Sequence, residues 1–142
     1  MTQTERTAEQ DILAMPDDHY MNAQQLAFFE QLLRQQKKQI QHHIEQIKQH
    51  LSSVAVEPDE LDRALIEEDN RQNLRLVERE YFLLRKIEQA LDRVARQEYG
   101  YCVETGQPIG IRRLLARPTA ELCLEAKERQ EIREKHYKKQ RG

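Results

Sequence analysis

Glu57-Pro58-Asp59-Glu60-Leu61-Asp62 decides the fold. The stretch is short and acidic, and Leu61 is its only large apolar side chain. A long, charged segment with apolar residues at heptad spacing runs on each side of it. Pro58 stops the segment before it, because the residue preceding a proline disfavours the α region. Asp59 is placed to cap the segment after it, with Asp62 at its third position. Two long helices joined by so short a turn fold back on each other. The predicted fold is therefore mainly α: a long antiparallel coiled-coil hairpin over residues 22–99, with its tip at 57–62.

Working back from the tip, Leu26, Phe29, Leu33, Ile40, Ile44, Ile47, Leu51 and Val54 step by threes and fours. Gln36 interrupts the stripe, and two successive steps of four read as a stutter that locally unwinds a supercoil. Asn22 is a good N-cap, and Gln25 completes a capping-box-like pair. This first arm is about 33 residues, or roughly 50 Å at 1.5 Å per residue. Residues 1–21 form an N-terminal segment in which Pro16 and Asp17-Asp18 are expected to break any helix. Ile12, Leu13 and Met15 make a small apolar spot there that either docks on the body or belongs to a loose tail.

Working forward, Leu61, Leu65, Ile66, Leu74 and Val77 resume the stripe, and Leu84, Ile87, Leu91 and Val94 continue it. From Val77 to Val94 the spacing is a heptad seam with Glu80 as the polar exception. No Gly or Pro occurs in residues 59–99, and Gly100 is expected to end the arm. Residues 100–142 change character, with Gly100, Gly106 and Gly110 close together. Two short strands around a turn are expected over 101–111, then a final helix of about 120–139 opened by Pro118 and Thr119. Its basic end, with Lys135, Lys138, Lys139 and Arg141, suits the helix dipole.

Composition sets bounds on function. Of 142 residues, 34% are charged and 6% aromatic, which favours long helices over a large compact core. The formal net charge of −2 gives no basic excess for bulk nucleic-acid binding. No apolar run approaches the roughly 18 residues of a membrane span, and no signal-peptide core follows Met1, so a cytoplasmic location is expected. Cys102 and Cys123 then default to thiols.

The stretch from Tyr99 to Cys123 carries a specific resemblance. Its sequence, YGYCVETGQPIGIRRLLARPTAELC, is similar to the zinc-finger module of the DksA family of RNA polymerase-binding transcription factors. Tyr20-Met-Asn-Ala-Gln-Gln-Leu26 resembles that family's first arm, Asp59 with Asp62-Arg63-Ala64 its tip, and Glu131-Ile-Arg-Glu-Lys135 its last helix. The family pattern is CxxC followed by a second CxxC about seventeen residues later, a strong four-thiolate zinc signal. Here the four positions read Cys102, Thr105, Cys123 and Ala126. A hydroxyl is a poor zinc ligand and a methyl is none. His19, His42, His43, His50 and His136 all lie far away in sequence. The chain thus resembles a cysteine-poor, zinc-independent member, with a degenerate zinc-finger-like module and no zinc expected.

The resemblance implies a function. The hairpin would enter the secondary channel of RNA polymerase and modulate initiation together with guanosine tetraphosphate, as in the stringent response. It implies Asp59, Asp62 and Ala64 as the tip near the polymerase active site and Arg79 as a polymerase contact. Leu83, Lys86, Arg117 and Lys127 would bind guanosine tetraphosphate, since cations from separate elements suit a multiply charged phosphate. No catalytic residue, sequence-specific DNA binding or membrane partner is implied, and a monomer is expected. Taken without the resemblance, Asp59 and Asp62 are a capping pair, and the arginines of the second arm are a solvated face. Cys102 and Cys123 are inert thiols, a redox pair or a weak zinc site. Two alternatives stand beside the main reading: a transcript-cleavage or elongation factor using the tip carboxylates on a metal, and a purely structural coiled coil.

Overall fold

The computed structural model describes residues 3–52 and 59–141, and within them the chain is helical. The elements are α1 (Gln3–Leu13), a 3-10 turn (Asp17–His19), α2 (Ala23–Ser52), α3 (Glu60–Ala95), α4 (Ile111–Ala116) and α5 (Leu124–Arg141). They form two compact units: residues 34–89, and residues 1–33 together with 90–142. The expected turn residues Glu57 and Pro58, and Val54 of the stripe, lie outside the described residues.

In residues 34–89, α2 and α3 pair antiparallel. Lys37 approaches Glu88 at 3.9 Å, His43 approaches Glu80 at 3.4 Å, and His50 approaches Asp69 at 3.1 Å. The ammonium of Lys48 sits 5.2 Å from the centre of the Tyr81 ring. Ile44, Ile47, Val77 and Ile87 are buried, as the heptad spacing predicts. The seam differs from expectation in its outer part. Leu61, Leu65 and Leu74 are 72%, 63% and 52% exposed. The inward positions are instead Ile66, Asn70 and Asn73, all half-buried. These continue the alternating four-and-three spacing of Val77, Glu80, Leu84 and Ile87, whereas Leu61, Leu65 and Leu74 fall outside it. The helix follows the continuous register, so two seam positions are amides and three leucines face water.

The other unit has its core at Phe29, Leu33, Tyr99 and Leu114, with Gln25 among them, all at most 1% exposed. The N-cap of α2 forms as its residues dictate. Asn22 Oδ1 accepts from the Gln25 N–H at 2.9 Å, and Gln25 Oε1 accepts from the Met21 N–H at 2.7 Å. The amide of Gln25 also donates to the Ile12 carbonyl at 3.4 Å, which satisfies a buried polar side chain and ties down the N-terminal segment. Ile12 is buried accordingly, while Leu13 is 42% exposed. The N-terminal segment is helical where a helix-free stretch was expected: α1 precedes Pro16, lies against α4, and ends before the proline rather than being prevented by it.

α3 ends at Ala95, short of Gly100. Gln97 takes a left-handed φ of 61°. The Glu98 N–H then reaches the Arg93 carbonyl at 2.8 Å, and the Gln97 N–H the Val94 carbonyl at 3.1 Å. This is a Schellman cap with glutamine where glycine is usual. No strand forms among the described residues, contrary to the two expected; one bridge joins Tyr101 and Pro108. Pro108 has no N–H to extend a ladder, Gly110 turns at φ 104°, and Ile111 already starts α4. The final helix begins at Leu124, not near Ala120, because residues 120–123 are engaged elsewhere: the Ala120 N–H closes a turn on the Arg117 carbonyl at 3.0 Å, and the Glu121 carbonyl accepts from the Val103 N–H at 2.9 Å.

Candidate functional site

Asp59 and Asp62 occupy the start of α3 and play separate parts. Asp59 Oδ1 accepts from the Asp62 N–H at 2.8 Å, and its carbonyl accepts from the Arg63 N–H at 2.9 Å. Asp59 is therefore the N-cap, with its carboxylate engaged on the backbone and complementing the positive helix end. Asp62 lends its N–H to that cap while its own side chain is exposed, as is Ala64 one residue beyond Arg63.

Further along α3, Arg79 is exposed and Leu83 is 39% exposed. Lys86 is half-buried, with its ammonium 5.5 Å from the centre of the Phe82 ring one turn earlier. Arg117 and Lys127 belong to the other unit. Arg117 is exposed and closes α4, its N–H donating to the Arg113 carbonyl at 2.8 Å. Lys127 is half-buried in the first turn of α5 and donates to Gln130 Oε1 at 3.2 Å.

The four degenerate zinc positions do come together. Cys102, Leu122 and Ala126 form one buried cluster, and Cys123 packs against it. Ala126 is fully buried, so its methyl is part of this core. The Thr105 hydroxyl lies 3.7 Å from Cys123 Sγ and accepts from the Gln107 N–H at 3.2 Å. Burial pushes the Cys102 thiol up, but hydrogen bonds from the Thr105 hydroxyl and the N–H groups of Cys123, Thr105 and Glu104 outweigh it and bring it down to about 6. The knuckle turn that presents a ligand sulfur to a metal is thus built, closed by the Gly106 N–H on the Cys102 carbonyl at 2.8 Å. The donor set is not. A structural zinc site takes four protein ligands, and no group of three or more His, Cys, Asp or Glu suited to a metal occurs among the described residues.

Sequence reasoning overlooked three positioning residues. The Tyr20 hydroxyl donates to the Gly100 carbonyl at 2.5 Å and accepts from the Gly110 N–H at 2.9 Å. The Tyr99 hydroxyl donates to the Pro118 carbonyl at 2.6 Å in the core, and burial holds its pKa well above the usual value. Gly100 adopts φ 91°, and a Cβ there would meet Met21 Cγ at 2.7 Å, so only glycine fits. A phenol two residues before an N-cap was the available signal for Tyr20, and it says nothing of a partner eighty residues away.

Residues 25–94 match the profile described as DnaK suppressor protein DksA, N-terminal domain, and residues 97–131 match the prokaryotic dksA/traR C4-type zinc finger. The chain is similar to the RNA polymerase-binding transcription factor DksA of Escherichia coli K12, with 40% identity over 94% of this chain and 95% of that protein. It is also similar to the protein of that name from Caulobacter vibrioides NA1000, with 41% identity over 96% and 97%. Among solved structures it resembles transcription factor DksA2 from Pseudomonas aeruginosa, with 53% identity, a TM-score of 0.84, and coverage of 90% of this chain and 99% of that one. No helix among the described residues is long and apolar enough to cross a membrane.

Proposed function

This chain belongs to the DksA family, and from that we propose that it is a transcription factor that binds RNA polymerase through the secondary channel. In this reading it carries out no covalent chemistry and modulates initiation together with guanosine tetraphosphate, without needing zinc. The observation that carries it is the near full-length match to relatives named RNA polymerase-binding transcription factors. The start of α3 supports a role for the tip. With Asp59 engaged as the cap, the exposed Asp62 carboxylate is available to act by charge on the polymerase active site. Exposure of Arg79 and Leu83 suits contacts with a partner. Lys86, Arg117 and Lys127 are each cations of the kind that a multiply phosphorylated nucleotide attracts. Freedom from zinc is supported by the donor set, in which a hydroxyl and a methyl stand at two of the four ligand positions.

Pull-down of core RNA polymerase by the purified chain, followed by transcription from promoters that respond to guanosine tetraphosphate, tests the reading. Binding with promoter-dependent changes in initiation is expected. Binding with stimulated RNA cleavage would point to the cleavage-factor alternative. Absence of binding would leave a structural coiled coil.

A further inference from the structure

Zinc does not fit the remnant of the finger, but the two sulfurs that remain make a site of a different kind. We propose that Cys102 and Cys123 form a two-thiolate site for Cu(I). The two cysteines pack in one cluster, and the Thr105 hydroxyl lies 3.7 Å from Cys123 Sγ. The segments that carry them are tied through backbone, the Val103 N–H donating to the Glu121 carbonyl at 2.9 Å and the Gly106 N–H closing the turn on the Cys102 carbonyl at 2.8 Å. The remaining side is closed by the fully buried methyl of Ala126 and by Leu122, which offer a metal nothing.

This arrangement discriminates between metals. Zn²⁺ in a structural site asks for four ligands in a tetrahedron, and two of those corners are a methyl and a weakly donating hydroxyl. Cu(I) is soft, carries one charge and is satisfied by two thiolates, with no need of further corners. Two thiolates around one Cu(I) leave a single net negative charge, small enough for a half-buried surface site to hold. Binding needs both thiols deprotonated and releases whatever protons they still hold to solvent; no electron is transferred. Entry is available from the side of Cys123, which is only half-buried. The proposal does not depend on polymerase binding.

The test uses the full, reduced chain without oxygen. Cu(I) is titrated in competition with a chromophoric Cu(I) chelator, and the loaded protein is examined by X-ray absorption. One Cu(I) per chain with a shell of two sulfurs is expected, and Cys102→Ser or Cys123→Ser, checked for fold by circular dichroism, should each lose the metal to the chelator. Because buried Cys102 could be needed for folding, the half-exposed Cys123 variant and the absorption spectrum of the unaltered chain decide by themselves. Copper left wholly with the chelator, a nitrogen or oxygen shell, or undiminished binding by Cys123→Ser would overturn the site. So would tight four-coordinate binding of one Zn²⁺ per chain.

Discussion

Asp59 and Asp62 stand three residues apart with the same side chain, yet removing each should do different things. Asp59→Ala removes the N-cap bond to the Asp62 N–H, so α3 should lose about 1 kcal/mol, seen as a lower unfolding midpoint. Asp62→Asn keeps the backbone N–H that the cap uses and removes only an exposed charge. It should leave stability and polymerase binding near those of the parent while abolishing transcriptional regulation. Normal regulation by that variant would exclude the tip carboxylate as effector. The nucleotide reading is tested one cation at a time. Lys86→Ala, Arg117→Ala or Lys127→Ala should each shift the guanosine tetraphosphate midpoint roughly tenfold or more, since a charge-assisted contact is worth about 1.5–3 kcal/mol. Basal activity should be spared, and unmoved midpoints in all three would remove the grouping. Cys102 gives a pH signature in the metal-free chain. Its folded pKa of about 6 lies below the ordinary 9.0, so its ionisation stabilises the fold fully above pH 9. That contribution should shrink as pH falls and vanish below about pH 6, and Cys102→Ser should flatten this part of the stability profile.

At the scale of elements, α3 is partly turned inside out. Asn70 and Asn73 hold seam positions while Leu61, Leu65 and Leu74 face water, and Asn73 Nδ2 is buried without a hydrogen-bond partner. An unsatisfied buried donor costs about 1–3 kcal/mol, so Asn73→Leu should raise hairpin stability by about that much. Thermal unfolding with a midpoint equal to the parent's would show that the amide is satisfied in solution. This helix also marks how far the sequence could be read. Reading by residue type put Leu61, Leu65 and Leu74 in the stripe; reading by strict four-and-three register would have put Asn70 and Asn73 there. The starts of α2 and α3 were legible because Asn22 and Asp59 carry the side-chain oxygens that a cap needs. The end of α3 was not, since nothing in Gln97 announces a left-handed backbone. The family pattern is what groups Cys102, Thr105, Cys123 and Ala126, which the structure brings together, and the tip residues are assigned by that pattern alone. The hydroxyl bonds of Tyr20, Tyr99 and Thr105 were not, because each joins residues whose proximity only the completed fold supplies.

For the molecule as a whole, metal removal should separate this chain from one that folds around zinc. Where a structural zinc is present its binding energy is folding energy, and a chelator unfolds the domain. Here Leu114, Leu122 and Ala126 are buried in residues 90–142, together with Tyr99. The protein should therefore purify without stoichiometric zinc and keep its circular dichroism and activity in strong chelator; loss of the finger on chelation would refute this. The unit that holds the finger is also discontinuous in sequence, made of residues 1–33 and 90–142. A ribosome emits Tyr20 first and Gly110, which donates to its hydroxyl, ninety residues later. At synthesis rates of about 5–20 residues per second, Phe29 and Leu33 wait several seconds for the segments that bury them. Residues 34–89, local in sequence, can fold on the nascent chain in that interval. The newborn protein therefore keeps Phe29 and Leu33 uncovered while residues 34–89 fold, and those apolar side chains are where a chaperone would find it.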